Sequence, residues 1–254
     1  CITFDDAIKC QIDVALPVLE EQKIKGFFFV YTSMFEGKPD NLEVFRYFRM
    51  NYFDNVNLFY NSFYKFLDKD LKSFFKEINN EIKLFLEKFP HCSIEDAQFR
   101  LVRDIFLSKN QYEQTMFLMM EEKKFHYKNF YPKLFFDQED LKKLDNLGHL
   151  VGLHSHNHPT LIEKLTYDEQ KNEYEQCLLS ISRILEKPKS EIKCMSHPCG
   201  SYNNDTLQIL KELGIELGFK QIMTIEPEKG MKKVNNSYLE IARQDHAGIL
   251  QRMN

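Results

Sequence analysis

Three histidines alternate at His154, His156 and His158, and Pro159 follows them. One histidine is usually structural; three within five residues point to a divalent cation, for which imidazole is a common ligand. Two arrangements are open. On an extended chain, positions i, i+2 and i+4 share a face, so His154, His156 and His158 would form a three-histidine comb. If the chain turns instead, His154 and His158 converge, and Pro159 is compatible with that turn. A second candidate is Asp5-Asp6, after Ile2-Thr3-Phe4. Adjacent carboxylates repel and need a cation or a proton between them, or else they cap a helix. A third is His197-Pro198-Cys199-Gly200-Ser201-Tyr202-Asn203, which reads as a strand-to-helix turn in which Gly200 permits close backbone approach.

Each cluster follows a short apolar run. Cys1 to Phe4 is β-prone, and Ala7 to Gln22 carries Ile8, Ile12, Ala15, Leu16 and Leu19 at helical spacing, with Pro17 predicting a kink or two shorter helices. Phe27 to Tyr31 is a continuous apolar run of the kind buried on both faces of a parallel sheet. From Phe136 the alternation resumes: helix Gln138–Leu147, strand Leu150–Leu153, helix Tyr167–Leu185, strand Ile192–Met195 and helix Asn203–Leu213 closed by Gly214. Ile215–Phe219 and Leu239–Arg243 are further strand candidates. Strands alternating with helices predict parallel βα units, which place chemistry at the carboxyl ends of the strands.

Residues 33–135 differ in kind. Seventeen of the 23 phenylalanines lie between Gly37 and Phe136, among Lys, Asn and Glu. Phe63, Phe66, Leu67, Phe74 and Ile78 recur at helical steps, as do Leu101, Ile105 and Phe106, and Ser93 is a helix N-cap candidate with Asp96 in its first turn. The reading is a helical insertion broken near Pro90 and bounded by Pro132, with its phenylalanines forming a core. The expected division is therefore 1–32 with 136–254 as a βα scaffold, and 33–135 as the insertion.

A formal net charge of −4 gives no electrostatic reason to expect nucleic acid. No segment approaches the roughly 18 uncharged apolar residues of a membrane span. Six scattered cysteines without C-x-x-C pairs read as reduced thiols, which makes the cytoplasm the expected location. No signal peptide is visible, and the chain opens at Cys1 inside a strand, so a segment can precede it.

The order and spacing of the three clusters resemble the polysaccharide deacetylases, the NodB-type carbohydrate esterases. Thr3-Phe4-Asp5-Asp6-Ala7 is similar to their TFDDG signature, His154 to Pro159 matches H-S/T-x-x-H-P, and His197 to Asn203 is similar to the YPYGxYN-like form of their third motif. The resemblance covers about 1–32 and 136–245. It implies a distorted (β/α)7-type barrel with the helical segment as an insertion, and one divalent ion on Asp6, His154 and His158. Zn suits such a set, as do Co, Ni or Fe. It further implies Asp5 as general base and the backbone N–H of Cys199 facing the oxyanion. The chain departs from the family where Ala7 replaces Gly, where Ser196 replaces the Arg that opens the third motif, and in having no Trp for the fourth. Arg243 is the candidate to replace the missing Arg. His246 is the nearest match to the general acid of the fifth motif.

The expected function is thus a metal-dependent N-deacetylase acting on an N-acetylated sugar or glycan in bacterial surface polysaccharide biosynthesis. The rivals are a metallohydrolase using the His154/His156/His158 comb, and an inactive carbohydrate-binding or scaffold protein on the same fold. Oligomeric state is not legible.

Overall fold

The computed structural model describes residues 1–67, 71–88, 92–221, 237–244, 249–250 and 253. Strand β1 (Ile2–Phe4) leads through a π-helical turn at Gln11–Ala15 into α1 (Leu16–Glu21) and then β2 (Gly26–Val30). The insertion follows as α2 (Asn41–Asn51), α3 (Val56–Leu67), α4 (Lys72–Glu77), α5 (Asn79–Lys88), α6 (Ile94–Leu101) and α7 (Lys109–Glu122). Then come α8 (Tyr131–Leu134), α9 (Gln138–Asn146), β3 (Leu150–Leu153), α10 (Tyr167–Leu185), β4 (Cys194–Ser196), α11 (Asn204–Glu212) and β5 (Leu217–Phe219). The chain divides into two compact units, Cys1–Asp40 with Pro132–Asn254, and Asn41–Tyr131.

In the first unit the five strands form one parallel sheet in the order β1-β2-β3-β4-β5, curled as a half-barrel. The α/β barrel-type reading holds. Among the described residues it is built from these five strands and one further bridge, where Ile241 pairs in parallel with Phe219. In-register pairing of Phe4 with Phe28, Phe28 with Val151 and Leu153 with Met195 brings the strand ends out on one edge. Asp5-Asp6, Tyr31-Thr32, His154 and His197 all leave the sheet there. Gly152 is required by close packing, since a Cβ on it would lie 2.4 Å from the carbonyl oxygen of Cys194 and 2.8 Å from the Phe29 ring. Gly218 likewise lets Leu239 approach, its carbonyl oxygen 2.5 Å from where a Cβ would stand.

Pro17 breaks the first helix as its missing N–H requires. It sits in the first turn of α1, and the wider π-helical turn precedes it. Helix α10 is set by a capping box, with the Thr166 hydroxyl accepting from Glu169 N and the Glu169 carboxylate accepting from Thr166 N. The strand expected at Ile192–Met195 shifts to Cys194–Ser196, because a 3-10 turn takes Lys189–Glu191. The strand expected at Leu239–Arg243 contributes the Ile241 bridge alone. Among the described residues no helix is long and apolar enough to cross a membrane.

The second unit has an aromatic core. Phe99 lies with its ring centroid 5.1 to 5.4 Å from those of Phe63, Phe59 and Tyr60, and Phe48 stacks on Phe125 at 5.6 Å. Ser93 caps α6, its hydroxyl accepting from Asp96 N at 3.1 Å. One stripe differs from expectation. Leu101 is buried but Ile105 is 58% exposed, because Val102–Phe106 is π-helical and its wider turn rotates the face. Pro90 lies outside the described residues.

Candidate metal and acid-base site

Asp6, His154 and His158 meet at the strand ends, with one ligand atom from each within 4.8 Å of the others. The Asp6 Oδ1 stands 3.1 Å from His154 Nε2 and 3.2 Å from His158 Nε2. It is enclosed and has no hydrogen bond of sound geometry. Burial pushes the Asp6 carboxyl up, but the two imidazoles more than reverse this and hold it well below the usual carboxylate range.

Neighbouring contacts fix the ring of His154. Its Nδ1 lies 2.8 Å from the Ser196 carbonyl oxygen, which can only accept, so the proton sits on Nδ1 and the Nε2 lone pair faces Asp6. An enclosed carboxylate oxygen without a partner, facing two imidazole nitrogens, is a donor set that fits a divalent cation. Among the described residues no other His, Cys, Asp or Glu joins it.

Backbone strain gathers at the same place. Asp6 (φ 72°), Ala7 (φ 50°), Ser155 (φ 66°), His158 (φ 55°) and Cys199 (φ 51°) are left-handed, and they are five of the eight such non-glycine residues described. Each conformation costs about 1–3 kcal/mol and persists only where surrounding contacts enforce it. At Ser155 and His158 the enforcing contacts are visible. The Ser155 hydroxyl accepts from His158 N at 3.1 Å, while His154 N bonds to Val30 O and both Thr32 N and Ser33 N bond to His156 O. This turn is what allows an i, i+4 pair to converge beyond a strand.

His156 is turned elsewhere, with Nδ1 2.8 Å from the Thr32 hydroxyl. The comb would need its ring beside the other two, and the turn at Ser155 removes it. His197 is also outside the set. It is buried, its Nε2 donates to Leu239 O at 2.8 Å, its ring stacks on Tyr202, and burial depresses its pKa to about 4.

Asp5 is held by an arginine 238 residues away. Arg243 Nη1 donates to Asp5 Oδ1 at 2.8 Å and Nη2 to Oδ2 at 2.6 Å, and the Ser196 hydroxyl donates to Oδ2 at 3.1 Å. Two further bonds aim the guanidinium, from Nε to Lys220 O and from Nη1 to Thr3 Oγ1. Residues 238–243 reach this position by running beside β5, with Ile241 N on Gly218 O and Lys220 N on Ile241 O. Cys199 lies on the turn at Pro198–Gly200 after β4. His246 lies outside the described residues.

The sequence reading missed Glu173. From α10 this buried carboxylate accepts His156 N at 3.0 Å and Asn157 N at 2.7 Å through Oε2, and Asn157 Nδ2 at 2.6 Å through Oε1. It therefore clamps the loop between the two converging histidines. The signal was available: Glu173 stands four residues before Cys177 and eight before Ile181, an acid on an otherwise apolar stripe.

No curated protein matches the chain. A family model described as polysaccharide deacetylase matches residues 104–218. Among solved structures the chain is similar to the Streptococcus pyogenes deacetylase PplD in complex with acetate, with 16% identity, a TM-score of 0.50, and coverage of 99% of this chain and 69% of that one. The BpsB deacetylase domain from Bordetella bronchiseptica is 12% identical with a TM-score of 0.47, covering 95% and 69%. IcaB from Ammonifex degensii is 13% identical with a TM-score of 0.47, covering 98% and 69%. The matched span runs through β3 and β4, so it holds both histidines that face Asp6 as well as the turn at Cys199. That span is under half of the chain; over it the chain is similar to the polysaccharide deacetylase family, and the parallel sheet carries a likeness of fold to the solved deacetylase.

Proposed function

We propose that the chain is a metal-dependent N-deacetylase that removes acetyl groups from an N-acetylated sugar in bacterial surface polysaccharide biosynthesis. One observation carries the reading: two consecutive carboxylates with separate partners, Asp6 facing His154 and His158, Asp5 gripped by Arg243. Asp6, His154 and His158 would hold a divalent ion, with two nitrogens and one oxygen suiting Zn and also Co, Ni or Fe. Such an ion, when bound, supplies Lewis acidity toward the acetyl carbonyl and lowers the pKa of water.

The chain's own residues do the rest. Asp5 takes a proton from the attacking water as its oxygen adds to the acetyl carbon. A carboxylate has about four lone-pair directions, and Arg243 and Ser196 occupy three, which leaves one for this proton. Arg243 fixes the plane of Asp5 and so the direction of the transfer. The backbone N–H of Cys199 is the assigned donor to the developing oxyanion. Collapse of the tetrahedral adduct breaks the C–N bond, and the nitrogen leaves with a proton, for which His246 is the proposed source. Acetate, the ligand named for the Streptococcus pyogenes complex, and a free amine are the products.

The test is acetate release from a panel of N-acetylated monosaccharides, oligosaccharides and nucleotide sugars, with Zn, Co or Ni added after chelation. Release from at least one substrate, lost on chelation and restored by metal, is expected. Undiminished turnover after rigorous chelation would remove the metal from the reading, and no release from any substrate would remove the deacetylase.

A further inference from the structure

The insertion contains a cavity of about 60 Å³ whose lining includes four arginines, Arg46, Arg49, Arg100 and Arg103, set against the rings of Phe59 and Phe99. No carboxylate is among the described residues that line it. Four guanidinium groups round so small a space repel one another, and the nearby acids answer them unequally. Arg46 pairs with Glu43 at 2.8 Å, and Arg103 with its neighbour Asp104 at 2.6 and 2.7 Å. Asp96 serves the other two. Its Oδ2 is 2.9 Å from Arg100 Nε, an ion pair without hydrogen-bond geometry, while its Oδ1 already accepts the Tyr60 hydroxyl and stands 3.7 Å from Arg49 Nη1, too far for a hydrogen bond.

Of the four, Arg49 stands furthest from its carboxylate. Its Nε is enclosed with no hydrogen-bonding partner, and its guanidinium carbon sits 5.7 Å from the Phe99 centroid and 6.0 Å from that of Phe59. Aromatic faces hold the cation in place but accept none of its in-plane N–H bonds. A buried donor without an acceptor is costly, and beside three further cations the group that would repair it is an anion.

Size and donor number select the anion. A water needs about 10–15 Å³ of such space, so the cavity has room for about four to six waters; that suits a tetrahedral oxyanion and excludes a sugar ring or a base. Guanidinium forks bind phosphoryl oxygens in pairs, whereas the four lone-pair sites of a carboxylate would leave most of these donors unanswered. We propose that this cavity binds a phosphoryl group, as free phosphate or as the terminal phosphate of a ligand whose remainder stays outside.

The test is isothermal titration calorimetry on the full chain, with chelator present, using inorganic phosphate, a sugar phosphomonoester and acetate. Phosphate should bind at one saturable site, and acetate roughly tenfold or more weaker. Arg49→Met, which keeps an apolar stem over the two rings, should weaken phosphate by roughly tenfold or more, as should the rim double variant Arg46→Gln/Arg103→Gln. Circular dichroism of each variant verifies folding, and the rim variant decides if Arg49→Met fails to fold. Tighter binding of the phosphomonoester supports a larger ligand; equal or weaker binding supports free phosphate. No saturable phosphate binding in the millimolar range, or undiminished binding in the folded variants, overturns the proposal.

Discussion

In the insertion the buried side chains are almost all rings, thioethers and aliphatic groups, whereas in the scaffold they include histidines, carboxylates, amides and hydroxyls. Among the described residues of Asn41–Tyr131, Thr115 is the one polar or charged residue buried as a whole, while His154, His158, Glu173, Gln170, Ser196, His197 and Glu240 are all buried in the scaffold. A buried polar group is retained only with its partners, so each one fixes the position of another. The aromatic core needs volume and shape, and it tolerates many arrangements of them. The difference separates two kinds of sensitivity. Changes at the scaffold's strand ends should cost chemistry at little cost in stability, and changes in the insertion's core the reverse.

The largest expected effect is at Asp5. Asp5→Asn keeps the shape and the Ser196 hydrogen bond but removes the proton acceptor, so acetate release should fall by about 10²–10⁴-fold. Metal binding, measured by calorimetry, should persist because Asp6, His154 and His158 are untouched. Full acetate release from this variant would show that Asp5 is not the base. His154→Ala, by contrast, should lose both metal and activity.

Phe99→Ala probes the other side. Its ring is buried and touches Phe59, Phe63, Tyr60 and Tyr112. The change should cost about 3–5 kcal/mol in denaturant unfolding. A cost below about 1 kcal/mol would mean that the aromatic cluster is a loose surface feature, and the contrast between the two regions would fail.

The contrast also explains what could be read in advance. Short apolar runs ending in Asp5-Asp6, His154 and His197 located the strand ends, because a parallel sheet buried on both faces needs such runs. Pro17 announced the break before α1. The convergence of His154 and His158 was open, since it depends on a left-handed Ser155, and no glycine marks that position. The Arg243 clamp on Asp5 spans 238 residues and has no local pattern. It rests on the pairing of residues 238–243 with β5, which a few apolar residues could only suggest. The exposure of Ile105 was hidden for a related reason, because a π-helical turn changes the period that the reading assumed.

Glu173 tests whether the scaffold's buried polar groups position the site. Glu173→Gln keeps one carbonyl acceptor but sets an NH₂ against the N–H groups of the loop that joins His154 to His158. Loss of such outer support typically weakens metal binding about 10–100-fold, and calorimetry with Zn should show a drop of that size. Acetate release at saturating metal should then recover much of its rate. Unchanged affinity in a folded variant would make Glu173 a packing residue alone.

The smallest effects set two helix caps side by side. Ser93 in the insertion makes one capping bond, to Asp96 N, at an exposed helix start. Asn203 in the scaffold accepts from Thr206 N at 3.0 Å and also donates Nδ2 to Glu163 O at 3.0 Å, joining α11 to the segment after His158. Ser93→Ala should cost about 0.5–1 kcal/mol, the usual worth of a cap. Asn203→Ala should cost about 1 kcal/mol more, because it also leaves Glu163 O short of a partner. Both are measurable by chemical denaturation of the full chain. Equal costs would mean that the scaffold's cap acts locally, and the claim that polar groups there fix one another's positions would lose its simplest support.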